Sequence, residues 1–217
     1  MTRSDFDFRG KPVAHWPNAD SRFAALYLHD HLGPNPAFAE SLSHRLNVLA
    51  PAGGHSWWTD RIESKFDATL SAERHVIELI SLLELPVPRP RAAFGGEAAI
   101  RFGFRHPSLF PVVAGWDCAF DFHDLYGRGT SLDTLFDRRE QARQYTAILQ
   151  VRQNDYPPHI WFGCPADSEW FRGNDRLHEK LNAIGVPHEF VVADACPIET
   201  MADFLVNGLE KRSRRLL

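Results

Sequence analysis

The sequence predicts an α/β fold in which a mostly parallel sheet carries helices on both faces. Short apolar runs alternate with segments of helical periodicity along most of the 217 residues, which is typical of βα units. Several of these runs are continuously apolar, as expected for strands that are buried on both faces of a sheet. The hydrophobic fraction of 44% and the charged fraction of 24% are those of an ordinary folded protein and exclude a disordered chain.

The length, the net charge and the apolar runs of the chain exclude several classes of function. A chain of 217 residues favours a single domain spanning residues 1–217. The 24 Lys and Arg residues against 28 Asp and Glu residues give a formal net charge of −4, so we predict no nucleic-acid partner. No apolar run is long enough to span a membrane, and the N-terminus lacks the apolar core of a signal peptide. We therefore expect a cytoplasmic protein without membrane association.

The first half of the chain predicts two strands and two helices. The apolar run Phe23–Leu28 predicts one strand, and residues 47–50 predict the next. Asn35 followed by Pro36 is typical of a helix N-terminus, and we expect that helix to continue through residue 46. Ser71 is the expected N-cap of a second helix, whose apolar face consists of Val76, Ile77, Ile80 and Leu83.

The middle of the chain contains clear start and stop signals. The prolines within 86–91 predict an extended segment, and a helix over Glu97–Arg105 ends before Pro107. Residues 110–115 predict a buried strand, followed by a long connection over 116–136.

The last third of the chain predicts three helices and two strands. Asp137 with Glu140 resembles a capping box for a helix that runs to about residue 149. Strands are expected at residues 159–163 and 188–192, with a helix over 175–184 between them. A final helix is expected to begin at Thr200, with Asp203 in its first turn.

Four segments near the predicted carboxyl ends of strands resemble one known family. Ligands of open α/β sheets bind at these ends. The segments are Leu26–His31, Gly53–Trp58, Phe94–Pro107 and Cys164–Phe171. Together they resemble the esterase D-like serine esterases of the α/β-hydrolase superfamily, and the resemblance runs from about residue 10 to residue 209. It implies an α/β-hydrolase fold and a similarity to carboxylic-ester hydrolases.

The resemblance also implies that the Ser-His-Asp triad of this family is not intact. Counting back from Arg105-His106-Pro107 aligns the nucleophile elbow with residues 91–95 and Ala93 with the serine. A methyl group cannot attack a carbonyl. Asp167 matches the family's acid, but Glu199 stands where the histidine is expected. The His-Gly pair of the oxyanion loop is represented by His29-Asp30, whose carboxylate would oppose an oxyanion.

Two classes of function follow from these substitutions. The first is a catalytically inactive homologue, a pseudoenzyme, that binds an unknown small molecule or protein or acts as a scaffold. The second is an enzyme with a repurposed pocket, in which the carboxylates of Asp167 and Glu199 share a poorly solvated site and perform acid/base chemistry or bind a metal. A residual carboxylic-ester hydrolase belongs to this second class.

Further residues are candidates for lining the pocket. The predicted binding residues are Asp30, His31, His55, Phe94, Glu97 and Trp116. Their acidic members favour a cationic ligand or a metal over an anionic ester. His29 and His31 have a spacing compatible with two metal ligands, although a hydrogen-bonded loop is the more common role of such a pair. Cys118 is the one thiol in a plausible mouth loop and a candidate replacement nucleophile. The three cysteines lack disulfide or zinc spacing, and we expect no cofactor.

Overall fold

An eight-stranded sheet in the order β1-β2-β4-β3-β5-β6-β7-β8 forms the centre of the computed structural model, which describes residues 2–82 and 90–214. The strands from β4 to β8 in this order are parallel, whereas β1 and β2 run antiparallel to their neighbours. The mostly parallel sheet is therefore confirmed. The strands are Ser4–Phe8 (β1), Lys11–Trp16 (β2), Ala24–Leu28 (β3), Asn47–Pro51 (β4), Arg91–Gly95 (β5), Val112–Trp116 (β6), His159–Cys164 (β7) and Glu189–Val192 (β8).

Helices cover both faces of this sheet. They are Pro36–Ser41 (α1), Ala72–Leu82 (α2), Glu97–Arg105 (α3), Phe122–Leu125 (α4), Leu132–Leu135 (α5), Arg139–Gln144 (α6), Ala147–Gln150 (α7), Phe171–Ala183 (α8) and Ile198–Arg214 (α9). Apolar residues of α2, α3, α7 and α8 pack on one face, and those of α1 and α9 pack on the other. None of the helices in the described part of the chain has the length and apolar character needed to cross a membrane.

The alternating direction of side chains along the central strands explains why both faces of the sheet are apolar. In β5, Ala93 packs against the face that α2, α3 and α8 cover, whereas Ala92 and Phe94 pack toward α1 and α9. Successive side chains of a strand point to opposite faces, so a strand between two helical layers must be apolar at every position. This is the reason that the continuous apolar runs predicted the parallel strands.

The hairpin formed by β1 and β2 was not predicted from the sequence. Its two turn residues, Arg9 and Gly10, have φ values of 55° and 75°, as in a tight hairpin turn with both central residues left-handed. The amide of Gly10 donates to Asp7 Oδ1 at 2.7 Å. The hairpin adds an antiparallel edge to the sheet, and the carboxylates of β1 protect that edge from further pairing.

The predicted caps of the first two helices are confirmed. Asn35 Oδ1 accepts from the Phe38 amide at 3.1 Å, and Ser71 Oγ accepts from the Arg74 amide at 3.2 Å. The helix that begins after Asn35, however, ends at Ser41 and not at residue 46. Residues 83–89, which include most of the segment predicted to be extended and Leu83 of the predicted apolar face, lie outside the described residues.

The segment between β6 and β7 departs most from prediction. Four short helices, α4 to α7, replace a long connection and a single helix. The predicted capping box at Asp137 is wrong: the N-cap of α6 is Arg138, and the Asp137 amide donates to Gln141 Oε1 at 3.0 Å. Most of this segment packs around a small apolar cluster of its own, which consists of Trp57, Ala119, Phe122, Leu125, Leu132, Leu135, Phe136 and Ala142.

Two later helices begin earlier than predicted. α8 begins at Phe171, four residues before the expected start, and α9 begins at Ile198 and not at Thr200. The buried residues Asn174 and Leu177 of α8 explain the longer helix, because the first turns of α8 pack against the loop after β6.

Candidate functional site

The sharp turn between β5 and α3 lies two residues later than the sequence predicted. Gly95, the last residue of β5, has φ 124°, and Gly96 is the N-cap of α3. Ala93, predicted at the elbow, is instead a fully buried residue inside β5. The strand continues because its ladder with β3 and β6 includes Gly95, which pairs with Leu28 and Gly115. Gly95 therefore occupies the strand-to-helix turn, where α/β-hydrolases hold their nucleophile.

The loop after β3 lies directly against this turn and leaves no room for a side chain. A Cβ added to Gly95 would lie 2.5 Å from the Leu28 carbonyl oxygen. A Cβ added to Gly96 would lie 2.9 Å from Asp30 Cα. The Gly96 amide donates to the same Leu28 oxygen at 2.9 Å, which holds the two segments together. Neither residue of the turn has a side chain, and neither could accept one without a shift of the backbone.

His29, the first residue of the loop after β3, is buried and uses both ring nitrogens. Its Nε2 accepts from the Gly53 amide at 3.2 Å, so Nδ1 carries the proton and donates to the Asp30 carbonyl at 2.7 Å. Burial lowers the pKa of His29 and favours this neutral form. His29 therefore serves to fix the loop and has no nitrogen free for a metal or a proton transfer.

Two consecutive tryptophans, Trp57 and Trp58, have left-handed backbone conformations. Their φ values are 51° and 53°, which cost large side chains on the order of 1 to 3 kcal/mol each. Arg101 Nη2 donates to the Trp57 carbonyl at 2.6 Å and to the Trp58 carbonyl at 3.4 Å. Trp58 Nε1 also donates to the His29 carbonyl at 2.9 Å. These hydrogen bonds hold the strained loop against the β5–α3 turn.

His31 lies between two aromatic rings at the mouth of the site. Its ring stacks on Trp57 at 5.0 Å between centroids and meets Trp170 edge-on at 5.6 Å. Its Nδ1 is buried without a hydrogen-bond partner among the described residues. The cavity at this point measures about 10 Å³, which is room for about one water molecule. It is lined by His29, Asp30, His31, Trp57, Trp58, Glu97, Ala98 and Ala119.

A buried charge network lies behind this cavity. Arg101, which is fully buried, pairs with Glu97 at 2.8 Å and with Glu73 at 3.7 Å. Burial raises the pKa of Glu97 to about 7, although the charge and hydrogen bond of Arg101 act in the opposite direction. Glu97 is thus a carboxyl group that titrates near neutral pH beside the turn.

Glu73 shares Arg101 with Glu97 but has the opposite pKa shift. Burial acts to raise its pKa, yet the hydrogen bond from His106 and the charges of Arg101 and Arg105 together lower it. His106 Nε2 and Arg105 Nε lie 2.8 Å and 2.9 Å from Glu73 Oε1. The network therefore contains one carboxylate with a lowered pKa, Glu73, and one carboxyl group whose pKa lies near neutral pH, Glu97.

Asp167 and Glu199 do not form the poorly solvated pair that the sequence predicted. Asp167 is exposed in the turn after β7. The Glu199 side chain is 73% exposed in the first turn of α9 and lies 3.6 Å from His44 Nε2. Among the described residues, these two carboxylates share neither a hydrogen-bond partner nor an ion-pair partner. The prediction is wrong because each carboxylate is solvated where it stands.

The six predicted binding residues fall into two groups. Asp30, His31 and Glu97 line the small cavity together, and their role in binding stays a prediction. The other three do not line it. Phe94 is buried toward α1 and α9, His55 is exposed, and Trp116 stacks on Trp161 at 6.1 Å. Phe94 is corrected from a binding residue to a core residue, because alternation along β5 turns it away from the α3 side of the sheet.

Cys118 lies beneath the turn and not in the mouth of the site. It is fully buried, its Sγ lies 3.9 Å from the Gly95 carbonyl, and burial raises its pKa well above the ordinary value. A nucleophilic cysteine needs a lowered pKa and access, and Cys118 has neither. The proposed metal ligands do not converge either: the described residues contain no group of three or more His, Cys, Asp or Glu side chains that could hold a metal.

Sequence reasoning missed three residues that shape the site. The sequence predictions give Arg101 no role, although it follows Glu97 by four residues, the spacing of a helical ion pair. Asp117, with φ 50° at the end of β6, accepts a short hydrogen bond from Ser168 Oγ, and its amide donates to the Gly163 carbonyl at 2.7 Å. No sequence signal links Asp117 to Ser168, because their contact depends on β6 and β7 being neighbours.

Comparison with known proteins supports the fold. No protein-family model and no curated protein sequence matches the chain. Solved structures do match, although the sequence identities are low. A ferulic acid esterase superposes with a TM-score of 0.66 at 15% identity, covering 98% of this chain and 97% of the esterase.

Two enzymes of Staphylococcus aureus match equally broadly. The fluorophosphonate-binding serine hydrolase F has a TM-score of 0.71 at 12% identity, with 97% of this chain and 96% of the hydrolase covered. The S-formylglutathione hydrolase has a TM-score of 0.65 at 13% identity, with 97% of both chains covered. The strand order, the two helical layers and these likenesses together show that the chain has the α/β-hydrolase fold.

Proposed function

We propose that this esterase-like α/β-hydrolase homologue does not hydrolyse esters and serves as a binding or scaffold protein for a small molecule or another protein. The observation that carries the proposal is the β5–α3 turn, where Gly95 and Gly96 lie against the loop after β3. Acyl transfer through an enzyme-bound intermediate requires a nucleophile at that position. Gly95 supplies none.

The shape of the site supports the same proposal. Hydrolysis also requires space for the ester carbonyl and donors directed at its developing oxyanion. A cavity of about 10 Å³, lined in part by the stacked rings of His31 and Trp57, does not admit an acyl group. The Asp30 backbone, in the segment that the resemblance assigns to the oxyanion loop, occupies the space that a side chain at Gly96 would need.

The remaining chemical groups do not supply a replacement nucleophile and base. Cys118 is buried with a raised pKa, and both nitrogens of His29 are hydrogen-bonded. Asp167 and Glu199 are solvated and separately placed. Acid/base chemistry by those two carboxylates is therefore not part of the proposal.

A second candidate function is favoured by the place of Glu97, which is buried and lines the small cavity, where burial raises its pKa to about 7. A carboxyl group that titrates near neutral pH can act as a general acid or base. Glu97 would reach a substrate only if the small cavity that it lines with His31 and Trp57 became larger, because its present volume is about 10 Å³. An activity that depends on Glu97 and not on Asp167 would support this candidate.

The test is an esterase assay with short p-nitrophenyl esters. We expect the native protein to release p-nitrophenol at the rate of buffer alone, and the Gly95→Ser variant to be equally silent, since the backbone leaves no room for its Cβ. Glu97→Gln and Asp167→Ala serve as matched comparisons. Native hydrolysis that increases with protein concentration and is lost in Asp167→Ala would overturn the proposal, and hydrolysis lost only in Glu97→Gln would favour the second candidate.

A further inference from the structure

A second concave surface, which we call the basic groove, lies between α8 on one side and α4, α6 and α7 on the other. Its volume is about 530 Å³, within the range of about 300 to 1,000 Å³ that is typical of small-molecule sites. The lining residues share none with the small cavity near Gly95. They are Asp121, His123, Asp124, Arg143, Thr146, Ile148, Leu149, Arg172, Arg176 and Lys180.

One wall of the basic groove is a row of cations on α8. Arg172, Arg176 and Lys180 are spaced by four residues and therefore lie along one side of the helix. Within the described part of the chain, Arg172 and Lys180 have no carboxylate within 4.0 Å, whereas Arg176 pairs with Asp121. Two cations in this wall thus remain available to a ligand, in a protein whose net charge is −4.

The charges on the opposite wall are already engaged. Arg143 makes a bidentate pair with Glu140, with both contacts at 2.7 Å. The pKa of Asp124 is lowered, first by the hydrogen bond from His123 and then by the charges of Arg172 and Arg176. The positive charges of α8 therefore act across the width of the groove, and they favour the binding of a negatively charged group there.

The inner part of the groove combines one polar group with apolar contacts. Thr146 is 3% exposed, and its Oγ1 has no hydrogen-bond partner among the described residues. A buried hydroxyl without a partner is costly, and a ligand oxygen would satisfy it. Beside it, Ile148 and Leu149 contribute apolar surface, and Leu149 is 42% exposed, unusually open for a large apolar side chain.

We propose that the basic groove binds a small organic molecule that carries a phosphate monoester and a short apolar body. Guanidinium groups bind phosphate oxygens through paired, charge-assisted hydrogen bonds, and the ammonium of Lys180 adds a third donor group. The Thr146 hydroxyl adds a neutral hydrogen-bond partner, and Ile148 with Leu149 contact the apolar body. This binding site is independent of the proposal that the β5–α3 turn is inactive.

Calorimetric titration of the full chain with phenyl phosphate tests the proposal, at about pH 8, where the phosphate carries close to two charges. The test variant is the double substitution Arg172→Gln with Lys180→Gln. Both residues are exposed and lack an ion pair among the described residues, so the fold does not depend on them. Its matched control, Lys65→Gln with Arg138→Gln, removes the same charges from exposed positions outside the groove.

We expect saturable binding to the native protein, an affinity at least about tenfold lower in the test variant, and an affinity within about twofold of native in the control. In an NMR titration, the Thr146 amide should shift with phenyl phosphate. Benzoate, with the ring but a single charge, should bind more weakly than phenyl phosphate.

Three results would overturn the proposal. One is the absence of saturable binding up to about 10 mM phenyl phosphate. A dissociation constant above that concentration would be weaker than that of an ordinary small-molecule site. Another is an equal loss of affinity in the control variant. If inorganic phosphate bound as tightly as phenyl phosphate, the apolar part of the site would be disproved.

Discussion

The guanidinium of Arg101 contacts two carboxylates and two backbone carbonyls at once. It lies between Glu97 and Glu73 and donates to the carbonyls of Trp57 and Trp58. A buried cation is tolerated only when such partners replace its hydration. Arg101 therefore connects the charge network around α3 to the strained loop whose tryptophans line the small cavity.

We predict that Arg101→Met lowers the free energy of unfolding by about 3 to 5 kcal/mol, since it leaves two buried carboxyl groups without their shared cation. Urea denaturation measures this loss. The control is Arg74→Met: Arg74 is 66% exposed and, among the described residues, pairs only with Glu78, so the loss should stay below about 1 kcal/mol. Equal losses in the two variants would contradict the role of Arg101.

The pKa of Glu97 predicts how stability changes with pH. Because this pKa is about 7 in the folded protein and lies above the ordinary value of 4.5, folding favours the protonated form. The resulting stabilisation is complete below about pH 4.5 and is lost as the pH rises through about 7, with a total on the order of 3 kcal/mol.

Glu97→Gln removes the titrating group, so the free energy of unfolding should decline less between about pH 5 and pH 8 than in the native protein. Urea denaturation at several pH values in this range measures the decline. The exposed Glu179→Gln serves as the control and should retain the native decline. A Glu97→Gln variant with the native pH dependence would show that another group is responsible.

At the scale of single elements, the β5–α3 turn depends on the positive φ of Gly95 and on the close approach of the loop after β3. Gly95 has φ 124° and faces the Leu28 carbonyl oxygen. Gly185, after α8, also has a left-handed φ of 71°, but a Cβ there would meet no atom within 4 Å. Comparing substitutions at these two glycines separates the free-energy cost of the left-handed backbone from the cost of a steric collision.

Gly185→Ala should therefore cost about 1 kcal/mol, the ordinary penalty of a left-handed alanine. Gly95→Ala should cost about 3 kcal/mol or more, because the added methyl group also forces the backbone at Leu28 to move. Thermal or urea unfolding of both variants measures the difference. Similar costs would mean that the loop after β3 yields easily and that the turn is not closed.

The sequence predicted those strands and helices whose burial pattern and stop signals lie within or next to the element itself. The strands β3, β4, β7 and β8 and the helix α3 were predicted to within one or two residues, because buried runs and proline stops are visible along the chain. The hairpin at the N-terminus was missed, since Ser4–Phe8 alternates charged and aromatic residues and lacks a continuous apolar run.

The site was harder to predict because its geometry depends on contacts between elements. Counting back from the end of α3 placed Ala93 at the turn, but the φ of Gly95 and the approach of Leu28 decide where the strand ends. Counting without gaps placed Glu199 in the pocket, whereas its environment is set by the packing of α9 beside α1.

Viewed as a whole molecule, the protein keeps all three thiols poorly ionised. Burial raises the pKa of Cys164 to about 11 and that of Cys196 to about 12, and raises the pKa of Cys118 well above its ordinary value. Cys164 is the last residue of β7, Cys196 precedes α9 and Cys118 lies under the β5–α3 turn, so their protection depends on both helical layers.

Iodoacetamide at about pH 8 should therefore leave all three cysteines unmodified in the folded protein, because only a thiolate reacts readily. In concentrated urea, all three should be alkylated, which provides the internal control. Mass spectrometry of the intact protein counts the added groups. Rapid modification of Cys118 under native conditions would show that the turn above it opens in solution.

The closed β5–α3 turn has an evolutionary consequence. A change of Gly95 to serine would supply a hydroxyl but not the space for its side chain, because the Leu28 carbonyl and the Tyr27 ring already occupy that space. An intermediate with the serine alone would be destabilised without gaining activity, and one with a displaced loop alone would lose packing without gaining anything. On the proposal that the turn is inactive, hydrolysis through a serine at this position would need both changes together, so selection for catalysis would favour neither change alone.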